Sequence, residues 1–101
     1  MNAGEVCDLV GVSRETGERL EAYVATLLEW QQRMNLIGPS TVEDVWARHI
    51  LDCAQLVRFV PRHCRRLVDL GSGAGLPGLV LAILGVEGVE LVESDQKKAA
   101  F

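Results

Sequence analysis

Three glycines at alternate positions, Gly71, Gly73 and Gly75, follow directly on the run Leu67-Val68-Asp69-Leu70. Gly78 comes next, and a second apolar run, Val89 to Val92, leads into Glu93 and Asp95. Glycine tolerates positive φ and lets a ligand approach the main chain without meeting a Cβ. A glycine turn that opens a helix offers free N–H groups to a nucleotide-like ligand. Gly73 to Gly78 satisfies G-x-G-x-x-G, and Glu93 stands 20 residues beyond Gly73, the spacing at which an acid meets ribose hydroxyls. The expected chemistry is the holding of an adenosine-containing cofactor.

Two details bear on which cofactor. Asp69 lies two residues before Gly71, so D-x-G-x-G-x-G is the fuller description of the turn. A carboxylate beside the loop repels a pyrophosphate but suits the ammonium and sulfonium groups of S-adenosylmethionine. A nicotinamide dinucleotide is the rival ligand. A glycine turn that merely packs tightly is the plain alternative.

Other residues invite chemistry less strongly. His49 and Asp52 are three apart on a predicted helix and share one part of its surface. The bland reading is a hydrogen-bonded pair bracing the cofactor region. The sharper one sets Arg48 and His49 at an RNA or cofactor mouth. Arg58, Arg62, Arg65 and Arg66 are suited to gripping phosphates, and His63 among them reads as linker. Trp30 and Trp46 fall at helical spacings and read as core.

The elements that must position these groups are legible in the pattern. Leu20, Tyr23, Val24, Leu27, Leu28 and Met34 recur at helical steps, predicting a helix from Ser13 to Met34 capped by Ser13. Residues 4–10 predict a short turn before it. Ser40-Thr41-Val42-Glu43 matches a capping box, predicting a second helix to Val60, where Pro61 stops it. Then come strand Leu67–Leu70, a helix over 77–85 with Pro77 in its first turn, strand Val89–Glu93, and the start of another helix. Residues 1–64 thus form a helical region, and 65–101 the first βαβ unit of an α/β domain. Two parallel strands and one crossover helix cannot cover both faces of a sheet. The chain is therefore expected to be a piece of a longer protein, or to complete itself by partners or self-association.

At 101 residues, half of them apolar, the composition is that of an ordinary globular protein. The net charge of −4 excludes a general nucleic-acid glue, yet residues 30–66 carry six arginines against three acids. Three cysteines without C-x-x-C spacing suggest neither a disulfide framework nor a zinc site, and the start MNAGEVCDLV reads as no export signal. A cytoplasmic setting is expected, with no membrane and no metal.

With these motifs in view, the chain from about residue 20 to 101 resembles the RsmG (GidB) family. The resemblance rests on NLIGPS, on Arg48-His49-Ile50-Leu51-Asp52, and on DLGSGAGLPG followed by VELVESDQKKAAF. Ile37 and Cys53 stand where a threonine and a serine are usual. The resemblance implies a bacterial S-adenosylmethionine-dependent methyltransferase acting on a guanine N7 of 16S ribosomal RNA in the small subunit or its precursor. It also implies a Rossmann-like class I fold, of which this chain would carry a truncated first part. Gly71, Gly73, Gly75 and Leu76 would line the cofactor with Ser72 and Asp69 nearby, and Glu93 would bind its ribose. No catalytic side chain is expected. An oxidoreductase fragment and a helical interaction module with a non-catalytic tail are the alternatives.

Overall fold

The computed structural model describes residues 1–101. Helical segments come first, followed by strand, helix, strand and helix. α1 (Ala3–Val10) begins at Asn2, whose side chain accepts the Glu5 N–H at 3.0 Å, and ends at Gly11 in the left-handed conformation. It is a full helix where local pattern suggested only a turn. The cause is tertiary: Val6 is completely buried where α1 packs on α2 (Arg14–Gln31). Gly17 permits that approach, because a Cβ there would sit 2.6 Å from Cys7 Sγ.

α2 starts at Ser13, as expected, and buries Leu20, Tyr23, Val24 and Leu27. It ends at Gln31, short of Met34, and Gln31 itself secures the exit. Its side-chain oxygen accepts from the Leu36 and Ile37 N–H groups at 2.8 and 3.0 Å, while its amide donates to the Ile37 carbonyl at 2.9 Å.

The next helical run differs most from expectation. Instead of one α-helix it changes pitch: a 3-10 turn (Pro39–Asp44), a π-turn (Trp46–Leu51), a short α3 (Asp52–Ala54) and a 3-10 turn (Gln55–Phe59). Thr41, Val45, Ile50 and Ala54 are its buried residues. At about 3.6 residues per turn, the step from Val45 to Ile50 would rotate off the core face, and a local i→i+5 turn restores it. The capping box does not form. The run starts at Gly38 with no side-chain cap, Ser40 and Glu43 are exposed, and the Thr41 hydroxyl donates to the Gly38 carbonyl at 2.6 Å.

β1 (Leu67–Leu70) and β2 (Val89–Val92) pair in parallel, in register from Leu67 with Val89 to Leu70 with Val92. α4 (Gly78–Ile83) connects them, with Pro77 just ahead of its first residue rather than inside it. At Gly78 a Cβ would lie 2.5 Å from Leu91 Cδ2 and 2.8 Å from Asp69 Oδ2, so only glycine allows this helix–sheet spacing. α5 (Gln96–Ala100) is capped by Asp95, whose Oδ1 accepts from the Lys97 and Lys98 N–H groups.

Helical and strand regions share one core: Val6, Leu20, Leu27 and Ile50 pack in the same cluster as Ala74 and Val80. The architecture is α/β, helices followed by a parallel βαβ unit. The sheet face bearing Val68, Leu70 and Val92 lies open, with Leu70 76% exposed. No helix is long and apolar enough to cross a membrane.

Candidate functional site

A cleft of about 510 Å³ opens where the carboxyl ends of both strands meet α2. Ser72, Gly73, Ala74 and Gly75 form one side of it. Ala22, Tyr23 and Thr26 of α2 face them, and Leu91, Glu93, Lys98 and Phe101 close the rest. Ligands gather at this end of parallel sheets because the loops there are free to diverge.

The glycines take the conformations that only they adopt without strain: φ is +67° at Gly71, +52° at Gly73 and +86° at Gly75. The expectation of a row of free N–H groups needs correction. Gly71 and Ser72 both donate to the Val92 carbonyl, Gly75 donates to the Ser72 carbonyl, and Gly73 donates to Glu93 Oε1 at 2.7 Å. Ala74 and Leu76 keep amides with no partner in the protein. The turn spends most of its donors on its own shape because two strands and an acid must be tied together there.

Glu93 is held from two directions. Its second oxygen accepts the Asp95 N–H at 2.8 Å. That bond, and after it the Gly73 bond, hold the carboxyl below its ordinary range. A carboxylate has about four acceptor sites, so two remain for a ligand's hydroxyls. Asp69, expected beside the cofactor loop, does not line the cleft; its Oδ2 accepts the Gly78 N–H at 3.0 Å and so occupies the start of α4. Of the seven predicted cofactor residues, Ser72, Gly73, Gly75 and Glu93 come together on the cleft, and Asp69, Gly71 and Leu76 do not border it. Leu76 instead packs against the core.

Comparison with known proteins bears on this arrangement. The family model for GidB, rRNA small subunit methyltransferase G, matches residues 16–101. The chain belongs to this family. A ribosomal RNA small subunit methyltransferase G of Rhodospirillum rubrum is 63% identical over 92 residues, covering 91% of this chain and 46% of the relative. That of Paramagnetospirillum magneticum is 56% identical over all 101 residues and 49% of its own length. That of Rhodospirillum centenum is 62% identical over 91 residues, 42% of its length. The chain thus spans about half the length of the curated relatives it matches. No solved structure matches it. The GidB family is, by its name, one of methyltransferases, which require a methyl donor.

Several residues of this GidB-family chain were invisible as site residues in the sequence. Tyr23, read only as part of an apolar stripe, donates its hydroxyl to the Ala74 carbonyl at 2.6 Å. The available signal was its type, since a buried tyrosine hydroxyl needs a partner. Phe101 packs against Tyr23 and edge-on to Trp30, with ring centres 6.3 and 5.9 Å apart, and Arg33 lies over the Trp30 ring.

The Arg48–Asp52 segment contributes architecture rather than a pair. His49 Nε2 lies 2.8 Å from Thr41 Oγ1 and makes no bond to Asp52, which is exposed. The one Thr41 proton goes to the Gly38 carbonyl, so the hydroxyl accepts from His49 and Nε2 carries the hydrogen. Burial, followed by the Arg48 charge, lowers the His49 pKa and favours the neutral ring. Arg65 and Arg66 immediately precede β1, at the opposite end of the strand from the glycine turn. Arg58 and Arg62 line a separate cleft with Gly85 and Glu87, and Arg66 pairs with Glu90 at 3.0 Å. No group of three His, Cys, Asp or Glu is placed to hold a metal ion.

Proposed function

We propose that this chain is the cofactor-binding portion of a Rossmann-like, class I methyltransferase. It holds S-adenosylmethionine and, with the remainder of such an enzyme, methylates a guanine N7 of 16S ribosomal RNA in the cytoplasm. Residues 1–64 act as the helical support and 65–101 as the start of the cofactor domain. The observation that carries this reading is Glu93, fixed to the Gly73 amide at the end of β2 with acceptor sites to spare. The residues fit an adenosine ligand: the cleft has room beside Gly73, where a Cβ would meet nothing nearer than 3.9 Å.

Asp69 weighs against the dinucleotide alternative. In a dinucleotide site the pyrophosphate rests on the helix N-terminus. Here the Gly78 amide at that position already has a carboxylate on it. When bound, S-adenosylmethionine supplies an electrophilic methyl group on its sulfonium. Guanine N7 offers a lone pair and carries no proton, so the protein needs no general base and acts by holding two partners in line. The partly exposed Glu93 and the wall from α2 serve the holding, and no side chain on the cleft is asked to exchange a proton.

Calorimetric titration of the chain tests the reading. S-adenosylhomocysteine is expected to bind and NAD is not; the reverse result would sink it. The arginines at the far end of the strands serve a separate task, docking of RNA phosphates away from the reacting atoms. Arg58→Glu together with Arg62→Glu is expected to reduce the slope of log K against log salt by about 2 for a 16S RNA fragment, leaving cofactor affinity intact. Unchanged RNA binding at low salt would remove these two from the interface.

A further inference from the structure

The helical region reaches into the cleft at one polar point. Tyr23 is buried on α2, and its hydroxyl donates to the Ala74 carbonyl 51 residues away. That carbonyl belongs to the peptide joining Ala74 to Gly75, and the N–H of the same peptide donates to the Ser72 carbonyl at 2.7 Å. Both ends of this peptide plane are therefore pinned, one by the turn itself and one by α2. The pinning matters because Gly73 and Gly75 flank Ala74 in left-handed conformations, and glycine has the widest backbone freedom of any residue. Without the tyrosine, only the Gly75–Ser72 bond of the turn itself holds this peptide in one orientation. Ala74 also carries one of the two loop amides with no partner in the protein, and it borders the cleft.

We propose that Tyr23 is a positioning residue of the cofactor cleft: its hydroxyl locks the Ala74–Gly75 peptide, so the helical region sets cofactor affinity as well as stability. This rests on the reading of the cleft as a cofactor site. The hydroxyl stays a donor throughout the physiological range, since burial first, with Cys53 adding to it, pushes its pKa well above the ordinary value. Preorganising a loop saves the ordering cost at the moment of binding. Its loss leaves a buried carbonyl unpaired and the loop amides unaligned.

The test compares Tyr23→Phe with Val24→Ala on the full chain. Phenylalanine keeps the ring and its packing and removes only the donor. Val24 is equally buried on α2 but does not border the cleft, so its truncation lowers stability by packing alone. Kd for S-adenosylhomocysteine is measured by calorimetry well below both melting temperatures, with hydrogen exchange at the Gly75 amide as a second readout. Tyr23→Phe is expected to weaken binding about 10-fold and to speed Gly75 exchange. Val24→Ala is expected to lower the melting temperature while leaving Kd within about twofold. If Tyr23→Phe binds like the parent, or if both variants weaken binding alike, the positioning role is overturned while the cofactor reading stands. If the parent chain fails to bind S-adenosylhomocysteine, both fall together.

Discussion

Replacing Glu93 with alanine is expected to weaken S-adenosylhomocysteine binding roughly 100-fold, through the loss of two charge-assisted hydrogen bonds to ribose hydroxyls. The side chain does two jobs at once. It accepts from the Gly73 and Asp95 amides, which ties the glycine turn to the end of β2, and it presents its remaining lone pairs to the cleft. Glu93→Gln separates the two. Its amide oxygen keeps one bonding arm, while its NH₂ meets an N–H of the protein and cannot accept from it. About a 10-fold loss is expected for that variant.

The pH dependence follows the same bonds. The Asp95 and Gly73 amides stabilise the charged carboxylate and hold its pKa below the ordinary glutamate value. A depressed folded-state pKa means that the stabilisation is complete above that ordinary value and is lost as pH falls through the folded one. Affinity is therefore expected to be flat with respect to this group near neutrality and to fall only in the acid range, a fall absent from Glu93→Gln. An alanine variant that binds within about threefold of the parent would show that Glu93 does not hold the ligand.

The largest expected stability effect lies at Gly88, where the chain turns into β2. Its φ is +69°, and an added Cβ would run into the Arg65 carbonyl just ahead of β1. The Gly88 carbonyl also accepts the Leu67 N–H at 3.0 Å, so the two strand starts are locked side by side at this point. Gly88→Ala must bear the left-handed conformation, about 1–2 kcal/mol, and displacement of a backbone neighbour, about 1–3 kcal/mol more. A fall in melting temperature of roughly 10–25 °C is expected. Gly85→Ala is the comparison, since its φ is +106° but nothing lies within 4 Å of the added atom. Equal losses at the two sites, read by thermal unfolding, would show that the close approach to Arg65 imposes no constraint.

Local features of the later half were legible in the order of residues. Both strands fall where β-rich apolar runs meet glycine, and the alternate glycines take the positive φ values their spacing suggested. Glu93 meets Gly73 because one strand, one turn and one short helix fix that distance within a single βαβ unit. The open sheet face follows from the same count of strands. Residues 39–59 were less legible. Their hydrophobic pattern is helical, but the five-residue step from Val45 to Ile50 is absorbed by a change of pitch that periodicity alone reads as continuous helix. The Ser40–Glu43 box fails for a related reason: Thr41, drawn into the core, sets the first turn through Gly38 and His49.

Asp69 and Tyr23 mark the boundary most clearly. The sequence placed a carboxylate beside a glycine turn and a tyrosine on an apolar stripe. Neither could say which group each would meet. Asp69 turned to the Gly78 amide because α4 crosses β1 at a spacing that only glycine permits. Tyr23 met Ala74 because α2 lies against the turn, a contact between residues 51 apart. Residue order was enough for the glycine turn, the acid in register with it and the membership of the family, because backbone preference and short-range spacing are local. Packing had to settle which donors the turn keeps, what Asp69 serves, and that the helical region forms a wall of the cleft. Those outcomes depend on how distant surfaces meet, and periodicity records that a face is buried without recording what covers it.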